Sequence, residues 1–432
     1  MKFILDSLLS IIGKFAGALL GLFTGIILAR TLGPEKLGQY QIFLSTQTII
    51  ITLFSLGIGN ASIYFIGSKI VSKEEIVSSF IKIFIPLSIL VSFFYGTAVL
   101  LFDNYFGYIS KTVLLIFVIG TGSLVISSIL RPLLYVKGEV KKLMYNNVLP
   151  SFVLFIGVFI GFYVLNILTV EIALFLWGIG NFLSCLFLIK YFKSEINFRI
   201  KINRSNLKKV MIYGVKLSAS NLIFVFIGNI SIFMMKIIMT DGFTAVGLYS
   251  RAIAISSLIY MIPNSIGPLL FTRWTGLDEE SLKKQVSQSA RVLVFITFIL
   301  TVFVVLAREY IVNVLYGIEF QQISSVVFIL APMLIFQTIS EVFNNLLASI
   351  GKAGATMYIM LFTLLIIIMF NFIFIPIYGI NGAALSVLLG AIFNSIALFI
   401  FSRRRIEVHL KKILLIEKED FTVGLNLIKK YF

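Results

Sequence analysis

The chain has 432 residues, of which 59% are hydrophobic and only 13% are charged, and its mean hydropathy is +1.04. So little charge excludes an ordinary water-soluble protein, and the net charge of +17 is spread over short loops rather than gathered for nucleic acid. The single cysteine, Cys185, excludes an intrachain disulfide or a thiolate metal cluster. The single histidine, His409, lies beyond the last apolar stretch, so histidine-based catalysis or metal binding within the membrane is also excluded.

Apolar stretches long enough to cross a bilayer recur along the whole chain. A hydrocarbon core about 30 Å thick needs about 20 helical residues, and an isolated strand would leave its backbone unpaired in lipid. The first stretch lacks the small-residue cleavage site of a signal peptide, so we expect it to be retained. The pattern predicts an all-α polytopic membrane protein with twelve transmembrane helices, near residues 10–31, 40–67, 78–102, 112–136, 145–165, 170–192, 210–238, 247–272, 289–312, 323–349, 356–377 and 381–402.

Two short motifs occur in both halves of the chain with nearly the same offset. Residues 37–40 (LGQY) match residues 246–249 (VGLY), and residues 138–145 (GEVKKLMY) match residues 351–358 (GKAGATMY). The repetition predicts two six-helix pseudo-repeats around a central cavity. Transporters built from parallel repeats place their binding site at the interface between the repeats, so a transporter is favoured over an enzyme.

Basic residues favour one side of the predicted membrane. Most of the 36 lysines and arginines fall in the N-terminal segment, in the loops that follow the even-numbered spans, and in the tail. By the positive-inside rule, both termini are therefore predicted to be cytoplasmic. We divide the chain into an N-terminal six-helix lobe at 1–200, a C-terminal six-helix lobe at 201–402 and a basic cytoplasmic tail at 403–432. The tail is predicted to form an amphipathic helix on anionic lipid, and a solvated stop-transfer tail is the alternative.

Polar residues interrupt several apolar spans, as the path of a polar solute requires. Arg251 in the eighth span and Glu341 in the tenth would each cost about 2.5–3.5 kcal/mol if they faced lipid, so we expect them to face the lobe interface. Glu341 could pair with a cation or bind the coupling proton or sodium ion. The candidate cavity residues are Lys14, Arg30, Gln47, Asn60, Lys216, Asn221, Asn229 and Arg251, and the ion-coupling candidate is Glu341.

These residues also have purely structural interpretations. Lys14 and Lys216 can extend to the inner headgroups, and small polar residues at helical spacing also serve helix packing. Arg131 stands at the end of a span, where a positive-inside anchor is expected. Pro263 and Pro268 in the eighth span predict either a hinge or a static kink.

The excess of cationic over acidic side chains within the spans favours an anionic cargo such as a diphosphate. Residues 26–40 (IILARTLGPEKLGQY) closely resemble the "aRxLGpexfGxy" stretch of the Wzx-type polysaccharide and O-antigen flippases, members of the MOP (MATE-like) exporter superfamily. Residues 56–61 (LGIGNA) and 246–250 (VGLYS) are similar to further elements of that family. The spans and their orientation extend the resemblance over roughly residues 1–402.

The resemblance implies two lobes around a cavity lined by helices 1, 2, 7 and 8, where Lys14, Gln47, Lys216, Asn221 and Arg251 would lie. It implies alternating-access translocation of undecaprenyl-diphosphate-linked oligosaccharide across the cytoplasmic (inner) membrane, for biosynthesis of lipopolysaccharide O-antigen, capsule or exopolysaccharide. The expected partners are this substrate, membrane lipids, a coupling H+ or Na+ and a polysaccharide polymerase. We expect no cofactor, metal, catalytic residue or nucleic acid.

A MATE-like drug or metabolite:cation antiporter is the main alternative on the same fold. Such exporters favour acidic cavity residues, and the spans offer little acid beyond Glu341. A membrane-bound glycosyltransferase or polymerase would need large outer loops with catalytic acids, and the outer loops here are short. The chain has no GxxxxGK[ST] loop for ATP, whereas an inside-negative potential of 100 mV favours export by about 2.3 kcal/mol for each negative charge.

Overall fold

The computed structural model describes residues 2–68, 70–196, 204–404 and 406, and within these ranges the chain forms helices and no strand. The α-helices in chain order are α1 (Lys2–Ser55), α2 (Ile58–Gly67), α3 (Lys73–Leu101), α4 (Asp103–Phe106), α5 (Lys111–Leu130), α6 (Leu133–Val136), α7 (Val140–Tyr163), α8 (Val170–Phe192), α9 (Arg204–Ile238), α10 (Gly242–Trp274), α11 (Glu279–Tyr316), α12 (Ile323–Ser349) and α13 (Ala353–Arg403).

Ten helical stretches of the described chain are long and apolar enough to cross a membrane. Two of them, Phe15–Ile66 and Gly354–Arg403, contain 52 and 50 residues. At 1.5 Å per residue each is about 75 Å long, more than twice the thickness of a hydrocarbon core. Each therefore has the length of two passes. The all-α polytopic membrane fold is confirmed, while the count of twelve spans, the two repeats and the central cavity stay predictions.

Both long stretches bend at a glycine. Gly33 in α1 has φ 69° and ψ 174°, and Gly379 in α13 has φ 57° and ψ −130°. Positive φ is readily accessible to glycine, and the Pro34 that follows Gly33 has no N–H to continue the helical ladder. The helical ladder is therefore interrupted at each glycine, and the second bend falls between the predicted spans 356–377 and 381–402.

The helices pack as two compact units. Unit 1 contains the residues up to Asn229 together with Asp241–Gly247, and unit 2 contains Ile230–Thr240 and the residues from Leu248 onward. The greater part of α9 thus packs with unit 1. The predicted lobe boundary at residue 200 stays a prediction, and residues 407–432, where the amphipathic tail helix is predicted, lie outside the described residues.

Each unit has its own apolar core, and the surface is also apolar. In unit 1, Ile58, Phe80 and Leu188 from three helices are buried in one cluster. In contrast, Phe93 is 68% exposed and Leu306 of unit 2 is 79% exposed. Large exposed apolar side chains of this kind would be unfavourable in water, whereas lipid acyl chains cover them without penalty.

An ion pair lies at the predicted cytoplasmic end of unit 1. The Lys137 ammonium, just after α6, pairs with the Glu195 carboxylate after α8 and lies 4.6 Å from the centre of the Tyr191 ring. Burial disfavours the charged form, but the hydrogen bond and charge of Glu195 outweigh it and raise the pKa of the Lys137 ammonium. Ser78 of α3 donates to the Glu195 carbonyl oxygen at 3.1 Å, so three helices meet at this pair.

Helices α5 and α8 approach each other closely at two glycines. A Cβ on Gly120 would lie 2.6 Å from the Cα of Gly178, and a Cβ on Gly178 would lie 2.7 Å from the carbonyl oxygen of Ile116. Real Cβ atoms do not tolerate such distances to backbone, so this crossing requires glycine on both helices. Small residues at helix crossings let backbones pack closely in membranes, where no hydrophobic force drives helices together.

We expect Gly178→Ala to lower the melting temperature of the purified protein, because the added methyl group overpacks the crossing at a cost of about 1–3 kcal/mol. Thermal unfolding in detergent, followed by loss of the monodisperse gel-filtration peak, measures the effect. Gly21→Ala is the matched control, since no atom lies within 4 Å of a Cβ there. Equal melting temperatures for the two variants would contradict the inference that the α5–α8 crossing requires glycine at position 178.

Candidate functional site

The candidate residues of unit 1 are spread over α1, α2 and α9. Arg30 is exposed in the turn of α1 before the Gly33 bend, and Asn60 is exposed in the first turn of α2. Asn221 is exposed in α9, while Asn229, about 12 Å further along the helix, donates to the Val225 carbonyl oxygen at 2.9 Å. The side chains of Lys14 and Lys216 lie outside the described part of the structure, so their place in a cationic cavity stays a prediction.

Gln47 lies in the interior of unit 1. Its side chain is 2% exposed, and its Nε2 donates to Thr121 Oγ1 at 2.7 Å. Thr121 in turn donates to the Phe117 carbonyl oxygen at 3.0 Å, so the pair joins α1 to α5 and gives both the Gln47 amide nitrogen and the Thr121 hydroxyl a buried partner. This geometry supports a packing role for Gln47, and its contact with substrate stays a prediction.

Arg251 is held within unit 2 by an aromatic ring. Its guanidinium carbon lies over the Tyr316 ring, 6.0 Å from the centroid, and its Nε donates to Ser250 Oγ at 3.4 Å. The ring face attracts a cation electrostatically, and the attraction is stronger where water is excluded. Tyr316 is itself buried, at 2% exposure, so α11 supplies a fixed support for a charge in the interior of α10.

Glu341 on α12 accepts hydrogen bonds from two helices. The Tyr260 hydroxyl of α10 donates to Oε2 at 3.0 Å, and Asn345 Nδ2 donates to Oε1 at 2.9 Å. A Cβ on Gly267 of α10 would lie within van der Waals distance of the Glu341 carboxylate, so α10 passes directly beside this side chain. The buried Oδ1 of Asn344 has no hydrogen-bond partner among the described residues. Around Glu341, a carboxylate and a phenol oxygen thus lie within hydrogen-bond distance, and oxygen atoms are the ligands that hard cations prefer.

Tyr260 is a member of this cluster that sequence reasoning missed. It lies in an apolar run between Arg251 and Pro263, where a buried phenol hydroxyl must find a partner. That requirement was the available signal, although it could not name Glu341. The two groups are 81 residues apart in the chain, and only helix packing brings them together.

A second buried network surrounds Arg131 at the end of α5. Its Nε donates to Asn146 Oδ1 of α7 at 2.8 Å, and its Nη2 donates to Ser184 Oγ of α8 at 3.4 Å. Asn146 Nδ2 also donates to the Ser184 carbonyl oxygen at 2.9 Å. Arg131 is thus tied to two helices through neutral partners, which the anchor interpretation of its position did not predict.

Solved structures share this fold. The lipid II flippase MurJ in an inward closed conformation has a TM-score of 0.77 at 18% identity, covering 98% of this chain and 93% of that chain. An inward-facing MATE-family multidrug resistance transporter of the MOP superfamily has a TM-score of 0.74 at 19% identity, covering 90% of this chain and 94% of that chain. The fold is therefore that of MOP-superfamily transporters and flippases.

Sequence comparison narrows this class. The profile of the polysaccharide biosynthesis protein family matches residues 5–271, more than half of the chain. The chain belongs to this family, and the resemblance to Wzx-type flippases of the MOP superfamily is confirmed. A curated relative, the capsular polysaccharide biosynthesis protein CapF of Staphylococcus aureus, is 22% identical over 404 residues, which are 88% of this chain and 94% of CapF.

If Gln47 serves packing, Gln47→Ala and Thr121→Ala should each lower the free energy of unfolding. The double variant should lose less than the sum of the two, with a coupling energy of about 0.6 kcal/mol and at most about 1.7 kcal/mol. Reversible unfolding in mixed micelles measures the cycle. Additive losses would show that the hydrogen bond contributes nothing, and loss of translocation by Gln47→Ala at unchanged stability would instead support substrate contact.

Proposed function

We propose that this protein is a flippase that translocates undecaprenyl-diphosphate-linked oligosaccharide repeat units across the cytoplasmic membrane, for biosynthesis of O-antigen, capsule or exopolysaccharide. The observation that carries the proposal is membership of the polysaccharide biosynthesis protein family, on a fold shared with a lipid II flippase. The name of the relative CapF points to capsular polysaccharide, a surface polymer of the same chemical class. In this proposal the protein is not an enzyme, since the cargo crosses the membrane unchanged.

Arg251 supports an anionic head group as the cargo. The Arg251 guanidinium lies over the Tyr316 ring in the interior of unit 2, and the planar fork of N–H donors of an arginine matches the oxygens of a phosphate. The ring also offsets part of the cost of holding the charge away from water while no cargo is bound. We assign Arg251 to the diphosphate, and Lys14, Arg30 and Lys216 to the rest of the same cationic path.

The proposed cycle alternates access to a central cavity while the polyprenyl chain stays in the bilayer. A diphosphate carries about two negative charges, so an inside-negative potential of 100 mV supplies roughly 4–5 kcal/mol for outward movement. The protein would lie in the cytoplasmic (inner) membrane with both termini in the cytoplasm, as the distribution of its basic residues predicts. A polysaccharide polymerase on the outer side would receive the flipped unit.

Deletion of the gene should cause the lipid-linked oligosaccharide to accumulate on the inner leaflet, and the wild-type gene should reverse this. Arg251→Ala should translocate at least about tenfold more slowly, because a hydrogen bond to a charged group contributes about 1.5–3 kcal/mol. The measurement is access of the oligosaccharide to a glycan-specific probe in intact cells and in inverted vesicles.

Arg308→Ala is the matched control. Arg308 is also an arginine of unit 2 that lies over an aromatic ring, Phe328, but it pairs with the exposed Glu309. Equal translocation rates for Arg251→Ala and Arg308→Ala would show that Arg251 does not bind the diphosphate. Lipid-linked intermediates that stay normally distributed after deletion would refute the cargo itself.

We further propose that Glu341 is the coupling site for H+ or Na+. Its carboxylate lies within a membrane-spanning helix, where a charge is retained only for function or with firm partners. Tyr260 and Asn345 donate to it, so the carboxylate is fixed in position beside a phenol oxygen. A proton or sodium ion bound here would neutralise the carboxylate. Because Tyr260 lies on α10 and donates to this carboxylate, the neutralisation would alter a contact of that helix.

Glu341→Gln should abolish the stimulation of transport by an imposed H+ or Na+ gradient, since the amide keeps the shape of the side chain and cannot take up the charge. Transport into proteoliposomes with each gradient applied separately measures this dependence. Tyr260→Phe should weaken the dependence without abolishing it. A Glu341→Gln protein that still responds fully to the gradient would exclude Glu341 as the coupling site.

A MATE-like drug or metabolite:cation antiporter is the second candidate. The carboxylate of Glu341 within an apolar helix favours it, since such exporters favour acidic cavity residues, and the fold is shared with a MATE-family multidrug resistance transporter. The two functions differ in the phenotype of the deletion strain. New sensitivity to drugs with normal lipid-linked intermediates supports the antiporter, whereas accumulated intermediates support the flippase.

A further inference from the structure

The guanidinium of Arg131, at the end of α5, donates only to neutral groups of the described residues. Its Nε donates to Asn146 Oδ1 at 2.8 Å, and its Nη2 donates to Ser184 Oγ at 3.4 Å. An arginine carries five N–H groups, so these two bonds leave three of them, two on Nη1 and one on Nη2, without an acceptor among the described residues. The site therefore combines a positive charge with unused donors.

The carboxylates that the structure places at the same end of unit 1 are paired with other cations. Glu139 pairs with Lys142 at 3.3 Å, and Glu195 pairs with Lys137. Each of these lysines therefore has its own counter-charge, whereas no carboxylate of the described residues acts on the charge of Arg131. The charge of Arg131 is thus uncompensated within the described part of unit 1.

The surroundings of Arg131 make this imbalance costly. Asn146 and Ser184 are both 0% exposed, and the nearby Leu130 and Leu133 are 1% and 2% exposed. A charge beside such an apolar interior interacts strongly with other charges, because little water screens it. Neutral hydrogen-bond partners orient the guanidinium but do not cancel its charge. Arg131 itself is partly exposed, which gives a small ion access to the free N–H groups.

A further polar side chain at this site also suits an anion. Ser127 lies one helical turn before Arg131 on the same face of α5 and is 0% exposed. Its hydroxyl makes no hydrogen bond to a nitrogen or oxygen atom of the described residues, and it lies beside the Cys185 thiol. Guanidinium, hydroxyl and thiol groups can all donate a hydrogen bond, and donors are what an anion requires.

We propose that Arg131 forms an anion-binding site, filled by one monovalent ion of the size of chloride that accepts the unused N–H groups. One negative charge balances the charge of Arg131, whereas a water molecule would accept the same hydrogen bonds and leave the charge unbalanced. The ion would stabilise the packing of α5 against α7 and α8, since the guanidinium that it neutralises bonds to both helices. The site lies within unit 1 and is independent of the proposed cargo.

The test compares the melting temperature of the purified wild-type protein in sodium chloride and in sodium gluconate at equal ionic strength. Screening of surface charges depends on ionic strength and is therefore the same in both salts. An ion that binds only the folded protein raises the melting temperature as its concentration rises past the dissociation constant. We expect a melting temperature several degrees higher in chloride, and bromide should act in its place. Equal melting temperatures in chloride and gluconate would overturn the proposal.

Two substitutions locate the effect at Arg131. Arg131→Gln removes the charge, and Asn146→Asp places a carboxylate where the amide oxygen lies 2.8 Å from Arg131 Nε. Both should abolish the response to chloride, the first because the cation is gone and the second because the protein then supplies the counter-charge. Arg308→Gln is the control, since Arg308 already pairs with Glu309, and it should keep the response. A full response in folded Arg131→Gln or Asn146→Asp protein would refute the site.

A direct observation on the wild-type protein needs no substitution. Crystals grown in bromide should show an anomalous scattering peak beside the Arg131 guanidinium, and the lack of such a peak would overturn the proposal. A peak without any difference between chloride and gluconate would mean an adventitious ion only. Stabilisation by phosphatidylglycerol in gluconate, with no response to chloride, would assign the counter-charge to a lipid phosphate and also overturn the proposal. None of these measurements requires transport, so failure of the proposed flippase function would not change their outcome.

Discussion

The structure depends on one constraint, that every backbone N–H and C=O within the hydrocarbon must find its hydrogen bond inside the protein. Helices meet it along their length, and α1 bends at Gly33–Pro34, where positive φ and a missing N–H interrupt the helical ladder. The same constraint extends to side chains. Arg131 is held by neutral partners, Arg251 by an aromatic ring and Glu341 by a phenol and an amide.

In the proposed mechanism, the cargo site at Arg251 and the ion site at Glu341 both involve helix α10. Arg251 and Tyr260 both lie on α10, nine residues and therefore about 14 Å apart along its axis. The first carries a cation suited to a phosphate, and the second bonds to a carboxylate suited to a small cation. Under this proposal, cargo and coupling ion act on the same helix at separate sites, and α10 passes beside the Glu341 carboxylate of α12 at Gly267.

Features of the fold that depend on residues close in sequence could be predicted. Span lengths, the bend between residues 377 and 381 and the family resemblance in residues 26–40 all depend on neighbours in sequence. The hydrogen-bond partners of individual side chains could not be predicted from the sequence, because they depend on how helices far apart in the chain pack. Gln47 appeared as a polar interruption suited to a cavity, and only the position of α5 shows that Thr121 satisfies it. Tyr260 was missed for the same reason.

The network around Arg131 also constrains how the protein is made. Asn146 and Ser184, which receive its hydrogen bonds, follow it by 15 and 53 residues, so neither exists when α5 first leaves the ribosome. A guanidinium without partners is costly in lipid, so α5 is best kept near water or the insertion machinery until α7 and α8 arrive. Unit 1 should therefore enter the bilayer as a group of helices, and truncation before residue 184 should yield a poorly integrated chain.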